Sequence, residues 1–106
     1  MTAVDPRRTT PVHIVDDIDA PDVAPGSVEV CAMEGRVWGY GYTCPGCGSR
    51  SYLAIDPEQP HPRWSVTAGD AARPDTVTLS PSIFHTAERG GCGWHGYLTN
   101  GVLRPC

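Results

Sequence analysis

Two short segments limit what this chain can fold into. Cys44-Pro45-Gly46-Cys47-Gly48 and Cys92-Gly93-Trp94-His95-Gly96 each place two soft metal ligands three positions apart and close with a glycine. A zinc site needs four ligands at about 2.0 to 2.3 Å, and one such knuckle supplies two. The x-x spacing lets both side chains point at one centre while turn N–H groups hydrogen-bond to thiolate sulfur, and the glycine permits the reversal. The ligand set expected from spacing is Cys44, Cys47, Cys92 and His95, holding one structural Zn2+ per chain. Between Cys47 and Cys92 lie 44 residues, where a compact ribbon would have roughly 15 to 20. The site should therefore clamp two sequence-distant hairpins.

Such a staple suits a chain of 106 residues, whose core is close to the lower limit for independent folding. Twelve Gly and eleven Pro favour turns and short strands over long helices. The fold class expected is mainly β: a small zinc-ribbon-like antiparallel domain of short strands and hairpins over residues 27–106, preceded by an extended, proline-rich acidic arm over residues 1–26. The arm holds Pro6, Pro11, Pro21 and Pro25 and an acidic stretch from Asp16 to Asp22, with only Val12-His13-Ile14-Val15 resembling a strand. A segment of this composition becomes ordered by lying on something.

Charge is divided unevenly. Residues 1–34 carry two Arg against seven acids, a local charge of −5, and residues 35–106 carry six Arg against five acids, a local charge of +1. With no Lys and no basic run, phosphate-driven binding of nucleic acid is disfavoured. The N-terminus lacks the apolar run of a signal peptide or membrane span, so the expected location is host cytoplasm or virion. Five Cys, two of them in C-x-x-C, argue for a reducing compartment and against a disulfide framework.

Val28, Val30 and Ala32, followed by Val37, Trp38, Tyr40 and Tyr42, read as a hairpin turning near Glu34-Gly35. Asn100-Gly101 is the strongest short hairpin signal in the chain. Counting outward from that turn, Thr99 faces Val102, Leu98 faces Leu103 and Tyr97 faces Arg104. His95 would face Cys106 if pairing continued, which makes Cys106 a rival fourth ligand. Cys31 falls in an alternating strand and reads as a buried apolar residue. His13, His61 and His85 are isolated, and the aromatics read as core more than as a stacking face.

From Tyr42 onward the chain resembles a family of small phage-encoded proteins of unassigned function. The matching pieces are Cys44-Pro-Gly-Cys-Gly48, Trp64, Leu79-Ser-Pro-Ser-Ile83, Cys92-Gly-Trp-His-Gly-Tyr-Leu98 and Asn100-Gly-Val102. The resemblance implies a viral origin and a metal site.

The function expected from all this is a non-catalytic, zinc-stabilised protein-binding or structural module of a phage, either a minor virion component or a binder of a host factor, with other phage proteins or a host protein as partner and an oligomer as an option. A nucleic-acid-binding zinc ribbon is the alternative. An enzyme ranks third: redox C-x-x-C motifs open a helix, whereas Gly48 to Ile55 reads as a strand. A zinc deaminase would need His-x-Glu with Pro-Cys-x-x-Cys. A metallohydrolase would need an open ligand position and a carboxylate base, with Glu88 the only acid near the knuckles.

Overall fold

The structure is a computed structural model that describes residues 9–60 and 62–106. The expectations that fall on residues 1–8 of the arm and on His61 lie outside the described residues. The chain is mainly β, with ten short strands and two single-turn 3-10 segments, Pro74–Thr76 and Ala87–Arg89, among the described residues. In chain order the strands are β1 (Thr10–Pro11), β2 (His13–Ile14), β3 (Ser27–Met33), β4 (Arg36–Thr43), β5 (Arg50–Ala54), β6 (Ser65–Ala68), β7 (Thr78–Ser80), β8 (Ile83–Phe84), β9 (His95–Thr99) and β10 (Val102–Pro105).

They form a sheet of order β2-β3-β4-β5, a second of order β1-β10-β9-β8, and a β6-β7 ribbon. All the pairings are antiparallel except β2 with β3, which is parallel. The β3-β4 hairpin turns at Glu34 and Gly35, both at positive φ (55° and 77°), the backbone that a two-residue turn demands. Asn100 and Gly101 do the same for β9-β10 (47° and 76°), and the register is the one counted from the sequence: Thr99 with Val102, Leu98 with Leu103, Tyr97 with Arg104. Pairing then runs one bond further, with Cys106 N–H donating to the His95 carbonyl at 3.0 Å.

Residues of the N-terminal segment tie the two larger sheets together. Thr10 and Pro11 pair with β10, while His13 and Ile14 lie along β3. Val12, between them, is buried and donates its N–H to Gly101. The core is one cluster that runs through both sheets: Val12, Val28, Tyr40, Tyr42, Cys44, Leu53, Val77, Leu79, Ile83, Trp94, Leu98 and Leu103. Aromatic bulk compensates for few aliphatics, since Tyr40 and Tyr42 are wholly buried, whereas Tyr52 and Tyr97 are exposed. Cys31 is half-buried.

Two edges are left at the end of this arrangement. β5 is the last strand of one sheet and β8 the last of the other. Between them, and floored by the 62–64 segment, opens a cleft of about 880 Å³.

Candidate active site and thiol cluster

β8 begins just after Pro81-Ser82 and pairs with the start of β9, Ile83 opposite Gly96 and Phe84 opposite His95. Side chains alternate along a strand and opposed residues share a face. Ile83 and Gly96 therefore point into the core, where Ile83 is 1% exposed, and Ser82, Phe84, His95 and Tyr97 take the outer face. On that face Ser82 and His95 are diagonal neighbours, and Ser82 Oγ lies 2.7 Å from His95 Nε2. Phe84 stacks on the His95 ring, centroids 4.7 Å apart and planes 16° apart, which fixes the ring's orientation.

Ser82 is also held from behind. The Trp64 indole N–H donates to the Ser82 carbonyl at 3.2 Å, and both residues line the cleft between the two sheet edges. The hydroxyl thus sits in a concave, solvent-reached site, with a ring nitrogen at the distance a general base requires. Among the described residues no carboxylate hydrogen-bonds to His95, so the constellation is a dyad.

The neighbouring histidine has another task. His85 follows Phe84 and points inward, its Nε2 2.6 Å from Tyr42 Oη and its ring stacked on that phenol. Burial holds His85 below its ordinary value and raises Tyr42, so the pair is a neutral imidazole hydrogen-bonded to a neutral phenol.

The first knuckle is built at the end of β4. Cys44 N–H donates to Ser49 O, Gly48 N–H donates to Cys44 O, and Gly46 N–H donates to Cys44 Sγ at 3.3 Å. Gly48 has φ 76°, the left-handed backbone that closes the turn. Cys92 is brought in across the top: a Cβ on Gly46 would come within 2.8 Å of Cys92 Sγ and 3.1 Å of Trp94 Cβ, so this turn has no room for a side chain.

The sulfur atoms of Cys44, Cys47 and Cys92 all lie within 4.8 Å of one another, close enough to bind one metal ion. Cys44 and Cys92 are 3.6 Å apart, too far for a disulfide and near the roughly 3.8 Å edge of a tetrahedron drawn with zinc–sulfur bonds of about 2.3 Å. The donor set is soft and fits zinc on that spacing. Burial pushes the Cys44 thiol up to about 12, so its thiolate is stable only beside a cation, whereas the Ser49 hydroxyl, 3.1 Å from Cys47 Sγ, lowers Cys47.

His95, expected as the fourth ligand by its spacing from Cys92, is not in this group. Trp94 is buried at 4% exposure while His95 opens β9 on the opposite face, and its Nε2 is engaged with Ser82. Cys106 is exposed and stands outside the group as well. Ser82, by contrast, carries no local sequence signal of function, although it lies within Leu79-Ser-Pro-Ser-Ile83.

Trp94 joins the two features. Its ring covers Gly96, where a Cβ would fall 2.7 Å from the indole, and its Cβ covers Gly46 of the first knuckle. The thiol cluster and the Ser82–His95 pair thus rest on one short stretch of chain, Cys92 to Gly96.

Comparison with curated proteins and with solved structures gave no match. A family model described as "Bacterial ubiquitination-like system serine protease (BubE)" matches residues 14–106. That description overturns three expectations: a non-catalytic module, a chain that is not an enzyme, and a virion component. The family so described is enzymatic and bacterial, and a serine hydroxyl, unlike a pair of metal ligands, has no diagnostic spacing in the sequence. With nearly the whole chain matched, from Ile14 to Cys106, the protein belongs to the family of bacterial ubiquitination-like system serine proteases (BubE).

Proposed function

We propose that this chain hydrolyses an acyl bond in a protein substrate, with Ser82 as nucleophile and His95 as general base. The observation that carries this reading is the 2.7 Å contact of His95 Nε2 with Ser82 Oγ, Ser82 being a residue that lines the open cleft. With its proton on Nδ1, His95 accepts the Ser82 hydroxyl proton at Nε2. As that proton leaves, Oγ attacks the carbonyl carbon, the C–N bond breaks, and His95 returns the proton to the leaving amine. Water then repeats the exchange on the acyl-serine and restores the hydroxyl. Phe84 keeps the imidazole plane fixed throughout.

The family's description supports a substrate from a bacterial ubiquitination-like pathway, and hence a protein partner. Cys44, Cys47 and Cys92 would hold a zinc ion, one per chain, in a structural role. When bound, the ion would keep the buried Cys44 thiol ionised and fix the β4–β5 turn to the segment that carries His95.

A fluorophosphonate probe tests the dyad directly, because it reacts only with an activated serine hydroxyl. Labelling of the unmodified chain at Ser82, lost in Ser82→Ala and in His95→Ala, is the expected result. Labelling that survives Ser82→Ala would transfer the role to another residue, and no labelling at all would sink the hydrolase reading.

A further inference from the structure

The cleft in front of Ser82 is electrically unlike the rest of the protein. The chain carries twelve acids against eight Arg, a net charge of −4, yet Arg50 and Arg63 line the cleft and, among the described residues, none of its lining is acidic. The nearest acids in sequence are directed elsewhere. Asp56 and Glu58 are both taken by Arg36 on β4, which donates to the Asp56 carboxylate and lies 3.2 Å from Glu58.

Arg63 donates to the Gln59 carbonyl at 3.0 Å, a contact that leaves its charge uncompensated, and it pairs with no carboxylate among the described residues. It immediately precedes Trp64, the residue that holds Ser82 in place. Arg50 shares its charge with the exposed Asp19 at 3.2 Å.

The shape of the cleft is as specific as its charge. Its walls are the terminal strands β5 and β8. An unpaired strand edge presents N–H and C=O groups that an extended peptide can satisfy. Tyr52 and Phe84 stand exposed on the two rims and offer apolar contact to alternate side chains.

The geometry points to a substrate segment that is an extended peptide carrying a carboxylate, Asp, Glu or a chain terminus, close to the bond presented to Ser82, with Arg63 as the specificity-determining residue. That the ligand is a substrate rests on the hydrolase reading; its charge preference does not. A carboxylate beside a partly exposed guanidinium should improve binding by about fivefold at low ionic strength, and a cleft of single sign should strengthen the salt dependence.

The test uses the full chain with Ser82→Ala, which cannot turn over, and two fluorescent extended peptides identical except for Asp or Asn at one position. Fluorescence anisotropy at about 50 mM salt should show the Asp peptide bound about fivefold tighter. Adding Arg63→Glu should remove or reverse the preference, adding Arg63→Gln should remove it, and adding Arg104→Glu, at an exposed position of β10 outside the cleft lining, should leave it intact. Melting curves show that each variant is folded, and Arg63→Gln serves if Arg63→Glu is not. Equal binding of the two peptides, or a preference that survives both Arg63 variants, overturns the proposal. A preference in binding with no cleavage by the unmodified chain would refute only the hydrolase reading, and cleavage that ignores the Asp would refute only the preference.

Discussion

Replacing His95 by Gln separates a catalytic pair from a decorative hydrogen bond. The amide can still reach the Ser82 hydroxyl across the 2.7 Å now spanned by Nε2, but it cannot take up a proton. General-base assistance contributes about 10²- to 10⁴-fold, which at about 1.4 kcal/mol per decade is roughly 3 to 5 kcal/mol of barrier. The cost in stability should be much smaller. His95 and Ser82 lie on the outer face, each half-buried, and a hydrogen bond of that kind contributes about 0.5 to 1.5 kcal/mol, of which the amide keeps part.

The rate of fluorophosphonate labelling, followed by quenched time points, should therefore fall at least about 100-fold while the melting temperature drops by no more than about 8 °C. Two residues that act as one unit are not additive. His95→Gln combined with Ser82→Ala should thus be no slower in peptide turnover than Ser82→Ala alone. Labelling of His95→Gln at the unmodified rate, or fully additive losses in the double variant, would refute the dyad.

Metal analysis of the purified chain should find about one zinc per molecule, and Cys44→Ser or chelation should remove it together with cooperative unfolding; a Cys44→Ser variant that melts like the parent would deny the ion a structural role. Because burial holds His85 below the ordinary imidazole value of about 6.5 in the folded state, the unfolded chain binds the extra proton first. Stability should then decline as pH falls below about 6.5, levelling off once the folded-state value is passed, and thermal scans from neutral to acid pH should show a slope that His85→Gln reduces. Tyr42→Phe leaves the half-buried His85 Nε2 without its 2.6 Å partner, at a cost of about 1 kcal/mol in chemical denaturation. Gly101→Ala meets both a φ of 76° and a Cβ placed 2.1 Å from the Asp75 carbonyl, so it should destabilise more than an Ala at exposed, open Gly90.

What could be read from the residues alone follows a physical line. Turns declare themselves because positive φ restricts their composition, and Glu34-Gly35 and Asn100-Gly101 were legible for that reason, including the register that follows from counting. The three-thiol cluster was legible because soft ligands at knuckle spacing have few other uses. The Ser82–His95 pair involves neither a rare residue nor a short spacing, and the contact exists only because β8 returns to pair with β9. No local pattern distinguishes the serine at 82 from its neighbour at 80.

His95 shows how spacing and strand parity compete for one side chain. Counted from Cys92, it stands where a zinc knuckle puts its second ligand; counted along β9, it stands one residue from Trp94 and so on the other face. Trp94 decides between them. Its indole is buried against Gly96 and beneath the first knuckle, and turning β9 over to aim His95 at the thiols would bring that ring into water. Burying a Trp is favoured by several kcal/mol relative to truncating it, more than an imidazole gains on Ser82, so the parity of the strand is set by Trp94 and not by either histidine contact. Trp94→Ala should loosen that parity, and the reading is checked by metal coordination: a cobalt-substituted Trp94→Ala chain whose visible absorption gains a nitrogen ligand absent from the parent would show His95 crossing to the thiol side, with labelling at Ser82 lost in the same sample. An unchanged ligand set alongside full labelling would mean that pairing with β8 alone holds His95 in place.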